Sequence, residues 1–86
     1  MSVLIVSTSD GFTVVDNGPY SDMEFKLLEM SRMMVQKGFN TEITRDTGRC
    51  LVHKISDDDG YVQDLIVCDG VAADIVVANE KSQPKG

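Results

Sequence analysis

The chain has no tryptophan, a single histidine, two cysteines and two prolines. Each shortage excludes something. With only His53 there is no H-x-x-x-H pair, and no C-x-x-C occurs, so the common zinc ligand sets are missing and no metal or cofactor is expected. Cys50 and Cys68 do not make a disulfide framework, and a reducing compartment keeps them as thiols. No apolar run reaches the roughly 18 residues of a membrane span. The opening MSVLIV lacks a basic n-region and its apolar run is too short for a signal peptide, so a cytoplasmic protein is expected. Eight basic residues stand against fourteen acidic ones, a net charge of −6. A chain this poor in cations cannot displace the counterions of a phosphate backbone or hold an anionic bilayer. Neither direct nucleic-acid binding nor membrane association is expected.

What is present builds a small domain. Hydrophobic residues are 42% of 86, enough for one core but a modest one, and chains this short often gain stability from a partner subunit. The domain is expected over 1–79, with EKSQPKG at 80–86 as a loose tail without periodicity.

Residues 21–38, SDMEFKLLEMSRMMVQKG, read as an amphipathic helix. Ser21 and Glu24 have the spacing of a capping box, and Tyr20 and Phe25 that of a hydrophobic staple. Gly38 stands where the chain turns left-handed to end a helix, and Phe39 can fold back onto Met34. Met23, Leu27, Leu28, Met30, Met34 and Val35 share one arc, while Lys26, Glu29, Arg32 and Gln36 lie outside it. Phe25 and Met33 also fall outside the arc. A flank of a broad stripe explains Met33, and a partner-binding helix face is the other reading.

Strands flank this helix. Val3–Val6 and Phe12–Val15 are β-rich runs around Asp10-Gly11, a hairpin pair. After the helix, FNTEITR, RCLVHKIS, YVQDLIVC and VAADIVVAN are separated by Asp46-Thr47-Gly48, Asp57-Asp58-Asp59-Gly60 and Asp69-Gly70. Turn chemistry at each break predicts an antiparallel meander. The expected fold is therefore α+β: an N-terminal hairpin, one helix, then a four-stranded antiparallel meander, with the helix on one sheet face. A parallel α/β sheet would need crossovers of about a dozen residues, and only one helix is available.

Taking a three-residue loop at 46–48 and even loops later assigns the faces. Phe39, Thr41, Ile43, Leu51, His53, Ile55, Val62, Asp64, Ile66 and Cys68 then lie under the helix. Cys50, Val52, Leu65, Val67 and Val76 form an apolar patch on the opposite face. In the first hairpin Leu4, Val6 and Val15 lie on one side, and Val3, Ile5, Phe12 and Val14 on the other. One helix cannot cover both faces of six strands, so a second subunit, a curled sheet or a binding partner is required.

Catalytic groupings are weak. His53, Cys68 and Asp64 share a predicted face, and such a trio could activate a thiolate. That face is the one under the helix, and Thr41 is predicted opposite His53 as a hydrogen-bond partner, so a core histidine is the better explanation. Cys50 is three residues from His53 and points the other way. The three aspartates before Gly60 are not an EF-hand loop, because Ile55 stands where its first aspartate belongs. There is no phosphate loop and no G-x-S-x-G elbow.

The expected function is a non-catalytic protein-interaction module, homodimeric through the patch of Val52, Leu65, Val67 and Val76, or bound to another protein. The alternative is an acidic mimic of a phosphate backbone, a phage-type inhibitor of a nucleic-acid-binding enzyme. In that reading Asp57, Asp58 and Asp59 lead the contact, with Asp64, Asp69 and Asp74 behind them.

Overall fold

Loops at Ser9-Asp10, Thr47–Arg49 and Asp58-Asp59 reverse the chain between antiparallel strands. The computed structural model describes residues 1–70. Its elements are β1 (Ser2–Thr8), β2 (Gly11–Gly18), α1 (Tyr20–Gln36), β3 (Asn40–Asp46), β4 (Cys50–Asp57) and β5 (Gly60–Asp69). The strands form one five-stranded sheet in the order β2-β1-β5-β4-β3, every pair antiparallel. The fold is α+β, with α1 against the sheet. The expected last meander strand, Val76 and the tail at 80–86 lie outside the described residues.

The helix connects the two edge strands, β2 and β3, and so must cross the whole face. Its 17 residues measure about 25 Å at about 1.5 Å per residue. Five strands spaced about 4.8 Å apart span about 19 Å. The lengths match, and α1 touches all five strands. Leu4, Met23, Leu27, Leu51, Ile55, Leu65 and Val67 form the buried core between helix and sheet, flanked by Val6, Tyr20, Met30, Met34, Phe39 and Val62.

The helix starts two residues earlier than its capping signals suggest. Pro19, with extended backbone, is the N-cap, and its carbonyl accepts the amides of Asp22 and Met23 at 3.1 Å. Ser21 therefore lies inside the first turn, no side chain caps the helix, and the capping box does not form. Nor does the staple, since Phe25 is 62% exposed. The other end follows the expectation. The Phe39 amide donates to the Met34 carbonyl and the Gly38 amide to that of Val35, each at 3.0 Å. Gly38 sits at φ +98, completing a Schellman ending.

Three β-bulges set the faces, and each adds one residue to one strand of a pair. In β2 the register slips at Val15, between the pairs Leu4↔Asp16 and Ile5↔Val14. In β3 it slips at Thr44, between Ile43↔His53 and Arg45↔Val52. In β5 it slips at Val62, between Ile55↔Gln63 and Ser56↔Tyr61. The loop at Asp58-Asp59 is even, as expected, but the bulge after it inverts every later side chain of β5. Leu65 and Val67, expected on the opposite face, lie under the helix with no exposed surface. Asp64, Ile66 and Cys68, expected under the helix, lie on the opposite face, beside Lys54, Val52 and Cys50. That face has its own cluster: Val3 and Ile5 are buried, with Phe12, Val14, Ile66 and Cys68 packed on them.

Candidate functional site

On the outside of α1, Phe25, Leu28, Arg32 and Val35 recur at i, i+3, i+7 and i+10, within an arc of about 80° at about 100° per residue. Phe25, Leu28 and Val35 are 62%, 46% and 50% exposed. The inner arc carries Tyr20, Met23, Leu27, Met30 and Met34 toward the core. The helix thus has two apolar stripes, and the sheet takes only one. Leu28 and Val35, expected on the core arc, belong to the outer stripe.

The outer stripe has shape as well as polarity. A surface hollow is lined by Phe25, Leu28, Glu29 and Arg32. These are positions i, i+3, i+4 and i+7, the four residues that surround a hole in knobs-into-holes packing. The Arg32 guanidinium is 4.0 Å from the Glu29 carboxylate along one rim. Lys26 pairs with Asp16 of β2, which ties the helix to the sheet edge and holds the Asp16 carboxyl below its ordinary range, with help from the Asn17 amide. The stripe therefore rides on a helix anchored by its inner face and by this ion pair.

The expected sheet patch is not assembled. Val52 is half-buried on the face away from the helix, whereas Leu65 and Val67 are in the core. The aspartate loop is present as a two-residue turn. Asp57 pairs with Gly60, and the Asp57 carboxylate accepts the Asp59 amide at 2.8 Å. Asp58 and Asp59 are exposed and Asp57 is half-buried. The Thr8–Gly11 loop is built alike, with the Thr8 hydroxyl accepting the Asp10 amide at 3.2 Å. Strand directions bring both loops to one end of the sheet. Asp69 lies at the other end, where it accepts from the Ser2 hydroxyl at 3.0 Å and has its pKa lowered, chiefly by that bond.

His53 is buried under the helix, and its partner is Ser31 of α1, with Nδ1 and Oγ 3.1 Å apart. Thr41 pairs with Ile55 instead, because the β3–β4 ladder closes at Asp46↔Leu51 and Thr44 bulges. Burial lowers the His53 pKa, and Asp46 opposes this only in part, so the imidazole is neutral at neutral pH. Cys68 and Asp64 are on the other side of the sheet, which removes the Cys–His–Asp trio. The Tyr61 hydroxyl donates to the Ser7 carbonyl at 2.9 Å and to Asp64 at 3.4 Å.

One pairing was not foreseen. Cys50 and Cys68 are directly opposite on β4 and β5, with sulfurs 3.7 Å apart. The Val62 bulge makes the pair by turning Cys68 to the face of Cys50. Alternation of apolar residues carries no signal for a bulge, though the wide D-D-D-G turn segment marks where one fits.

Among the described residues no group of three or more His, Cys, Asp or Glu side chains is placed to hold a metal ion. No helix there is long and apolar enough to cross a membrane. No protein-family model, curated protein or solved structure matches the chain.

Proposed function

We propose that the protein is a non-catalytic interaction module that forms a homodimer through the outer stripe of α1. The observation that carries this is the exposed Phe25–Leu28–Val35 row around a knob-receiving hole, on a helix whose inner face is already in use. Exposed aromatic and aliphatic side chains in a contiguous row mark association surfaces on small soluble domains.

A second copy suits this surface because the helix is self-complementary when paired antiparallel. A two-fold axis near Met30 sets Phe25 against Val35 of the second copy, and Leu28 against the aliphatic stem of Arg32. Glu29 then approaches Arg32 of the second copy across the axis. Antiparallel helices also oppose their macrodipoles favourably. These rim charges add little energy, but they select the orientation. Sedimentation equilibrium at micromolar concentration tests the reading. Wild type should fit a dimer, and Leu28→Asp should weaken it at least tenfold without changing the far-UV spectrum. A monomeric wild type, or a Leu28→Asp variant that dimerises equally well, overturns it.

A second reading is favoured by one observation. The Ser9-Asp10 and Asp58-Asp59 loops leave the same end of the sheet, which concentrates acid there. An acidic inhibitor of a nucleic-acid-binding enzyme would present this end to the enzyme's basic groove. Such a complex would form with a steep salt dependence. Against it, Asp64 and Asp69 do not extend the cluster into one stripe: Asp64 is on a sheet face facing Lys54 across the strands, and Asp69 is at the far end.

A further inference from the structure

The face opposite the helix holds the chain's two thiols together. Cys50 and Cys68 are free and half-buried. They are register partners on adjacent antiparallel strands, and their sulfurs lie 3.7 Å apart. The kind of pair matters. The Asp69 amide donates to the Arg49 carbonyl at 3.0 Å, a bond that spans the outside of the Cys50/Cys68 pair. The Cys50 amide and carbonyl meanwhile engage Thr47, in the loop leading to β4. This is therefore a non-hydrogen-bonded pair, whose Cα atoms stand about 4.5 Å apart. That separation falls within the roughly 4.4–6.8 Å that a disulfide spans. A rotation of the two side chains closes the remaining gap without moving either strand.

We propose that Cys50 and Cys68 form a thiol–disulfide exchange site, a dithiol that a low-molecular-weight disulfide oxidises to an intramolecular bond joining β4 to β5. The Cys50 thiol gives its proton to water, and its sulfur attacks one sulfur of the small disulfide. The S–S bond of the reagent breaks, and one small thiolate leaves. Cys68 then loses its proton and attacks Cys50 Sγ, expelling the second small thiolate. Both small thiolates take up protons. Two protein thiols are oxidised, one disulfide is reduced to two thiols, and no metal or oxygen is consumed.

The surroundings assign the order. Burial, then the neighbouring Cys50 sulfur, push the Cys68 thiol up to about 11, against a smaller opposing effect of Arg45. Cys68 is therefore held protonated at neutral pH while both thiols are free. Once Cys50 is in a mixed disulfide it can no longer bear charge beside Cys68, which removes one cause of the rise, so Cys68 becomes a better nucleophile at the stage where it must act. The pair lies across the sheet from His53, whose imidazole takes no part. It is also remote from the outer stripe of α1, so dimerisation and oxidation are separable.

The experiment treats the full chain with excess oxidised glutathione at neutral pH, blocks free thiols, and reads intact mass and a non-reducing peptide map. Wild type should go from two free thiols to none, lose two hydrogens, carry no glutathione, and yield the Cys50 peptide linked to the Cys68 peptide within one chain. Cys68→Ser should stop at a stable glutathione adduct on Cys50. Wild type that keeps both thiols, carries a separate adduct on each, or links only between chains overturns the proposal. So does a Cys68→Ser chain whose Cys50 stays unmodified. The wild-type measurement needs no variant to fold.

Discussion

Val52 and Val67 sit on neighbouring strands and look interchangeable in sequence, yet their replacement by aspartate should have opposite consequences. Val67 is fully buried beneath the helix, in contact with the main core. Removing its side chain forfeits about 1.5–3 kcal/mol of apolar burial. Placing a carboxylate there adds several kcal/mol of desolvation, because no cation is available to pair with it in this cluster. The total exceeds about 5 kcal/mol, the lower end of what holds an ordinary small domain together. Val52 is half-buried on the other face, and its register partner on β3 is Arg45. An aspartate there gains an opposite charge across the strands, a contribution of about 0.2–1 kcal/mol, which offsets part of the lost burial. Val67→Asp should therefore be largely unfolded in the absence of urea at neutral pH. Val52→Asp should unfold cooperatively, within about 1–2 kcal/mol of wild type. Urea titration followed by far-UV circular dichroism separates the two. Equal midpoints, or a Val52→Asp chain less stable than Val67→Asp, would show that the Val62 bulge and the face assignment are wrong.

Other outcomes follow from the same geometry. Leu27→Ala should cost about 2–5 kcal/mol as a buried large-to-small change, whereas Leu28→Ala at 46% exposure should cost less than about 1 kcal/mol to the monomer; equal losses would mean the helix is rotated. Because burial lowers the His53 pKa, the unfolded chain protonates this group more readily than the folded one. Its contribution is fully present above about pH 6.5 and is lost as pH falls from there toward the lowered folded value, and His53→Gln should flatten that part of a stability–pH curve. Changing Asp57, Asp58 and Asp59 together to Asn should leave the urea midpoint nearly unchanged, since an asparagine side-chain oxygen at the first of these positions can still accept the backbone amide two residues on. If a basic partner enzyme binds this triple variant with an unchanged salt slope, the loop is not the contact of an acidic mimic.

Much of the fold was legible because its signals are local. Gly38 and Phe39 announce the helix end, D-G and T-G pairs mark the reversals, and the alternation in β1 places Leu4 and Val6 opposite Val3 and Ile5. What was not legible depends on insertions of one residue. Nothing in YVQDLIVC distinguishes a regular strand from one bulged at Val62, because both of its faces are apolar enough to be buried. Inverting the strand moved Leu65 and Val67 into the core, separated His53 from Cys68, and brought the two cysteines together. The helix start was misplaced for a different reason: a proline carbonyl does the capping for which Ser21 has the right spacing. Of the outer stripe only Phe25 was visible in the sequence as lying off the core arc. Leu28 and Val35 were assigned inward because a wide apolar arc does not say where its buried centre lies.

The most direct measurement of the central claim is an isotope-filtered nuclear Overhauser experiment on a mixture of labelled and unlabelled chains. It reports only contacts between copies. Pairing through the outer stripe predicts cross-peaks from the Phe25 ring to the Val35 methyls, and from the Leu28 methyls to the Arg32 side chain. Cross-peaks confined to the sheet face or to the edge strands, or no intermolecular cross-peaks at a concentration where the chain sediments as a dimer, would contradict it.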